Sequence, residues 1–285
     1  TVKLNREAGY STNNSKHFWA WTFLSALFFL TILYTKSRSG LLGFAVAFVV
    51  FWIGTYFPLK KKSLEILKKP FLVISLSLLV ITLFTGTPWT PSLRQGFGRR
   101  ANQPKNPALG PALEVGGTES GTIRKIVWKG AIDIWRHYPI TGSGPETFAF
   151  SYYQFRPAEH NLVSEWDFLY NKAHNELLNI AANTGTLGLI SYLYFVGIVI
   201  IYFVKRLKDA PDLFQSAFLA GFSSIFVTNF FGFSVVPVAL LFFLYPGVAV
   251  ALEASNKTKV ISYKPGTWGP NEAHELIEND GRKWL

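Results

Sequence analysis

The 285-residue chain is 49% hydrophobic, with 26 Phe, 12 Tyr and 9 Trp. That composition excludes an ordinary soluble domain and points to a membrane protein. Cysteine is absent, which excludes a disulfide framework, a thiolate metal site and a cysteine nucleophile. The charge excess, 28 − 17 = +11, lies in clusters beside apolar runs, so it reads as a topology signal rather than a nucleic-acid footprint. Methionine is absent too, so Thr1 is expected to be a fragment end or a processed start, with further sequence upstream. The first apolar run has no A-x-A-like cleavage site after it, and it does not read as a signal peptide.

Residues 1–17 are polar and are expected to be a cytoplasmic N-terminal segment. Residues 18–35 are apolar, just long enough at about 1.5 Å per residue to cross a bilayer core of about 30 Å. A polar hinge follows, Lys36-Ser37-Arg38-Ser39-Gly40, and then a second apolar span over 41–57. The basic group Lys60-Lys61-Lys62 with Lys68-Lys69 precedes a third, shorter span over 71–86. Residues 87–185 are different in kind, rich in Pro, Gly, Asn and charge, with no spanning run. Within them, 122–138 reads as a helix closed by Pro139, 139–145 as a turn-rich link, and 148–155 as an aromatic stretch suited to a bilayer surface. Three more spans are expected over 187–204, 213–231 and 235–252, with Lys205-Arg206 and Lys208 after the fourth. A polar tail, 253–285, ends the chain.

The fold class is therefore an all-α polytopic membrane protein, a membrane domain over 18–252 with about six transmembrane helices. Short basic loops stay cytoplasmic. That rule puts the termini inside and the long, partly helical 87–185 loop outside. Lys36 and Arg38 then stand on the wrong side for the rule. Either they have a task other than orientation or they snorkel to outer headgroups.

The outer segment carries the polar chemistry. Arg124, Trp128, Ala131 and Trp135 are spaced 4, 3 and 4 apart and share one helix face. Tryptophan faces suit sugar rings, and guanidinium forks bind phosphate bidentately; an ordinary amphipathic helix shows the same spacing. His174 sits where the outer segment meets the fourth span, and an imidazole moves protons near neutral pH. His137 and His160 read as surface residues. There is no glycine-rich phosphate loop, no Asp-x-Asp or His-x-x-x-His metal pattern and no nucleophile elbow. No cofactor is expected.

Three ordered pieces resemble the O-antigen ligase and polymerase superfamily of bacterial membrane proteins. Thr35-Lys36-Ser37-Arg38-Ser39-Gly40 is similar to its Ser-Arg motif at the outer end of a transmembrane helix. Arg124, Trp128 and Trp135, then Pro139, Gly142, Gly144 and Phe148, are similar to its Arg-x-x-x-Trp and Pro-x-x-Gly-x-Gly stretch. Ala173-His174-Asn175, with Leu178 and then Gly185-x-x-Gly188, is similar to its Ala-His-Asn motif. The resemblance implies metal-independent transfer of a glycan from undecaprenyl pyrophosphate to an acceptor hydroxyl, on the outer face of the bacterial cytoplasmic membrane. By motif, His174, Arg124 and Arg38 would be catalytic. Lys36, Trp128, Trp135 and Asn175 would bind substrate. The partners would be the lipid-linked donor, a glycan, lipid or protein acceptor, and membrane lipid, as in lipopolysaccharide and other envelope polysaccharide synthesis. The alternative class is a multi-span transporter or a non-catalytic lipid-glycan binding protein. It would more often place charges or broken helices near the midplane.

Separately, Tyr263-Lys264-Pro265-Gly266-Thr267-Trp268-Gly269-Pro270, with Asp280-Gly281-Arg282-Lys283-Trp284, resembles the extreme C-terminus of bacterial glucose-6-phosphate dehydrogenases. That family's dinucleotide-binding loop is missing, so the resemblance implies no dehydrogenase activity.

Overall fold

The computed structural model describes residues 12–56, 61–93, 118–209 and 212–260, and the side chains among them except those of 12–16, 61–66 and 255–260. The dehydrogenase-like tail and part of the outer loop lie outside the described residues. Every element described is helical: α1 (Thr12–Tyr34), α2 (Arg38–Tyr56), α3 (Lys61–Thr85), α4 (Ser120–His137), α5 (Phe148–Phe155), a 3-10 turn (Ala158–Leu162), α6 (Glu176–Asp209), α7 (Leu213–Phe230) and α8 (Val236–Val260). Six of them are long and apolar enough to cross a membrane: α1, α2, α3, α6, α7 and α8. The chain is a polytopic all-α membrane protein.

Helix α7 is central, with α2, α6 and α8 packed against it. Small residues let α2 and α7 approach closely. A Cβ on Gly43 would lie 2.6 Å from Thr228 Cγ2 and 3.1 Å from Ser224 Oγ. Between membrane helices, where lipid is as apolar as the partner, such close backbone approach supplies dispersion contact. Aromatic rings fill the remaining contacts. Phe222 and Phe242 join α7 to α8 with ring centroids 4.4 Å apart, and Trp52 and Phe71 join α2 to α3 at 5.0 Å.

The hinge between α1 and α2 follows from its residues. Lys36 takes a left-handed conformation (φ 51), and Ser37 Oγ accepts from Gly40 N at 3.1 Å, capping α2. Arg38 then occupies the first helical position, where its side chain stands clear of the bundle.

The second unit is a layer over one end of the bundle. Ile123, Val127, Ala131 and Ile134 of α4 pack on Phe148 and Tyr152 of α5, with Tyr170, Ala173 and Ala182 closing the core. Ala131, assigned above to the Arg124–Trp135 stripe, thus belongs to the buried face. The spacing of that stripe covers two adjoining faces, and burial separates them.

Helix α6 is broken at Gly185 (φ 66, ψ −165). The turn after α4 docks into this break. Ser143 N donates to Ala182 O and Gly144 N to Asn183 O, each at 2.9 Å. In return Thr186 N donates to Pro139 O at 2.8 Å and Leu187 N to Ile140 O at 3.3 Å. The turn therefore satisfies the very groups that a helix break leaves without intrahelical partners. No side chain fits between the two backbones. A Cβ on Gly185 would lie 2.2 Å from Ile140 O, and one on Gly142 (φ 70) 2.3 Å from Asn183 C. Both glycines also hold positive φ, which L side chains disfavour. Residues 176–184 of α6 belong to the layer, and the membrane-spanning part begins after Gly185.

Candidate functional site

The site lies where α4, the start of α6 and the link from α7 to α8 meet. His174 stands two residues before α6 and holds a left-handed conformation (φ 52). Asn175 makes this junction possible. It is buried, its Oδ1 accepts from Leu178 N at 3.0 Å, and it caps α6. Asn179, one turn on, accepts from Ala173 N at 3.2 Å. Trp128 on α4 donates its indole N–H to the His174 carbonyl at 3.3 Å. The backbone on both sides of the histidine is thus pinned.

The imidazole itself is half-buried between aromatic walls. Tyr170 lies 5.5 Å away between ring centroids, and Phe233 lies edge-on at 5.0 Å and 90°. Burial pushes the His174 pKa down, the Arg124 guanidinium pushes it further down, and Glu165 partly opposes them. The neutral imidazole is therefore favoured. Arg124, at the start of α4, makes no hydrogen bond or ion pair with the described residues, and its charge is felt by both His174 and Tyr170.

Arg38 reaches the same end of α4. Its guanidinium donates to Glu119 Oε1 at 2.9 Å, and both side chains are mostly exposed. Glu119 immediately precedes α4, and Arg124 follows five residues later, about 7.5 Å along the axis. Lys36 is exposed at the hinge. Trp135 lies further from His174. Its indole N–H donates to Thr186 Oγ1 at 3.0 Å, and that hydroxyl donates to Pro139 O at 2.7 Å, so Trp135 braces the docked turn. The structure therefore gathers His174, Asn175, Trp128 and Arg124, ties Arg38 to the end of α4, and sets Trp135 at the helix break.

His160 corrects the sequence reading. It is fully buried, not a surface residue. Its Nε2–H donates to Glu165 O at 3.3 Å, so Nδ1 is the acceptor, and Tyr152 Oη donates to it at 2.5 Å. Burial lowers its pKa and keeps it neutral. Tyr170 Oη donates to the Glu165 carboxylate. Tyr170, Glu165 and Phe233 surround His174, yet no motif or spacing marks them. The aromatic 148–155 stretch, expected at a bilayer surface, instead supplies Phe148 and Tyr152 to the buried core of the layer. Glu176, the first residue of α6, accepts from Ser234 N at 3.0 Å and holds the Phe233 link in place.

Below the hinge, a cavity of about 280 Å³ runs between α1, α2 and α3. Leu33, Leu41, Phe44, Phe48, Leu78 and Thr87 are among the residues that line it. Among the described residues, no group of three or more His, Cys, Asp and Glu side chains is placed to hold a metal ion.

No curated protein and no solved structure matches the chain. A family model described as O-antigen ligase matches residues 23–193, which take in the hinge, α4, the docked turn and His174. That match spans more than half of the chain, which therefore belongs to the O-antigen ligase family, membrane proteins of glycosyl transfer of the ligase and polymerase type.

Proposed function

We propose that this chain transfers a glycan from undecaprenyl pyrophosphate to an acceptor hydroxyl on the extracytoplasmic face of the bacterial cytoplasmic membrane, with arginines in place of a metal. The observation that carries this reading is the neutral, backbone-pinned His174 beside Arg124. A neutral imidazole accepts a proton, and a positioned general base contributes typically 10²–10⁴-fold. The acceptor O–H gives its proton to His174 as the oxygen attacks the anomeric carbon. The bond from that carbon to the phosphate oxygen breaks, and the lipid pyrophosphate leaves with the electron pair. Arg124 and Arg38 stabilise the charge that develops there. The attack comes from the face opposite the leaving group, so configuration inverts.

Two further features support this reading. The apolar cavity, lined by Leu41 in the first turn of α2 after Arg38, suits a polyprenyl chain whose diphosphate would rest at the hinge. Trp128 and Asn175 act through His174, by fixing its backbone, while Lys36 is free at the hinge to meet the donor. A transport reading has no comparable support, because the Asp, Glu, Lys and Arg residues of the described spans stand near their ends. The bilayer side follows from the basic clusters at Lys68-Lys69 and at Lys205-Arg206, both at the end of the bundle opposite His174.

The test is transfer from a lipid-linked glycan donor in proteoliposomes. His174→Ala is expected to lose about 100-fold or more in rate, and Arg124→Ala and Arg38→Ala to lose activity through weakened donor binding and leaving-group stabilisation. Wild-type transfer by well-folded His174→Ala protein would overturn the assignment.

A further inference from the structure

The docked turn has an outer side that the catalytic reading does not use. Leu187, Ile190, Tyr194, Ile198 and Ile201 recur at intervals of 3 or 4 along α6 and are all exposed. They form one stripe largely uncovered by the described residues, and in a membrane helix such a stripe faces acyl chains. Ile140 continues that stripe. Leu187 N donates to Ile140 O at 3.3 Å, so the tip of the turn sits directly above the top of the span. Ile140 is 64% exposed and Leu187 58%, so most of each side chain is left uncovered by the described residues.

The residues leading to the tip are graded. Arg136 and His137 end α4, Tyr138 follows, then Pro139 and Ile140. The Tyr138 ring packs on His137 at 4.6 Å and leaves an exposed edge. A cation, an amphipathic aromatic and an aliphatic wedge, met in that order toward the span, match the charged, interfacial and apolar zones of a bilayer surface. A solvent-facing turn has no use for an exposed isoleucine at its tip, where polar residues serve better.

We propose that the 136–140 segment is a membrane anchor: Ile140 inserts at the acyl boundary beside Leu187, with Tyr138 and Arg136 among the phospholipid headgroups. The ligand is the lipid surface itself. Its hold fixes the depth of the α4–α5 layer, because this same turn is locked into α6. The anchor stands independently of the proposed transfer reaction.

The chain has no cysteine, so single labelling sites are directly available. The full chain, reconstituted in lipid nanodiscs, carries one spin label at Ile140→Cys, at Ile190→Cys as the lipid reference, or at Lys125→Cys as the water reference. Collision with oxygen and with a water-soluble nickel chelate reports depth. Position 140 is expected to favour oxygen, as position 190 does. A nickel-dominated profile like that of position 125 would overturn the anchor. So would dipolar broadening at position 140 that disappears on dilution with unlabelled protein, since that marks contact with a second copy. If Ile140→Cys does not fold, Tyr138→Cys is the second site, and it is expected to read at headgroup depth; full chelate access there would equally overturn the proposal.

Discussion

The membrane bundle and the layer above it solve packing in opposite ways. In the bundle, neighbouring helices meet through small residues and aromatic rings, as at Gly43 with Thr228 and Phe222 with Phe242, while large apolar side chains remain uncovered for lipid. In the layer, Val127, Ala131, Ile134 and Phe148 are wholly buried, as in a soluble core. At Gly185 the two units are joined backbone to backbone by main-chain hydrogen bonds, with side-chain contacts such as Trp135 to Thr186 and Glu176 to Ser234 beside them. Side-chain packing tolerates conservative change, whereas two backbones in contact do not. The location of His174 rests on the less tolerant kind of joint.

The largest effect should come from that joint. Gly185→Ala places a Cβ 2.2 Å from a carbonyl oxygen and forces positive φ on an L residue. Its expected outcome is release of the turn. Protease cleavage in 139–144 should appear while the spans stay membrane-inserted. Uncut protein would show that the layer does not depend on the lock.

A smaller effect sharpens the electrostatics of the layer. The His174 pKa is held down by burial and then by Arg124, and is raised by Glu165. In the proposed transfer His174 is the general base and acts above its own pKa, so activity is expected to fall as pH drops through it. Arg124→Gln removes a lowering charge and should move the acid limb of the rate profile to higher pH. Glu165→Gln removes a raising charge and should move it to lower pH. Shifts in the same direction would show that His174 is not the titrating base.

The smallest effect belongs to the exposed pair. Glu119→Ala breaks the contact to Arg38, yet solvent screens both groups, so stability should change by no more than about 1 kcal/mol in chemical denaturation. A larger loss would mean that the hinge and α4 are coupled beyond this ion pair.

These contrasts also explain what the sequence disclosed. The spans were legible because lipid demands long apolar runs, and each of the six is present as a helix. Their ends were not. The third begins earlier than the apolar run, at Lys61: lysine is a good helix former, and Pro70, which has no N–H to donate, costs the helix one hydrogen bond without ending it. Pro139 and Gly142 stood out as turn signals and Gly185 only as part of a motif, and their mutual docking depends on two segments meeting in space. His160 read as a surface residue because a lone histidine in a polar loop carries no sign of burial. Tyr152 and Tyr170 enclose it only after α5 folds back. Phe233 was invisible as a neighbour of His174 for the same reason, since they lie on different sides of two spans.

The lock between Gly142 and Gly185 also imposes a timetable on biogenesis. Its halves are 185 − 142 = 43 residues apart, and the later half is the entry to a transmembrane helix. A chain made from its N-terminus presents α4, the turn and α5 before the partner break exists. The layer can close only after α6 has left the ribosome and taken its place in the bilayer. Until then the turn's N–H and carbonyl groups have water as their partner. Assembly of the histidine's surroundings is in this way made conditional on membrane insertion, and a chain that fails to insert α6 has no means of completing them.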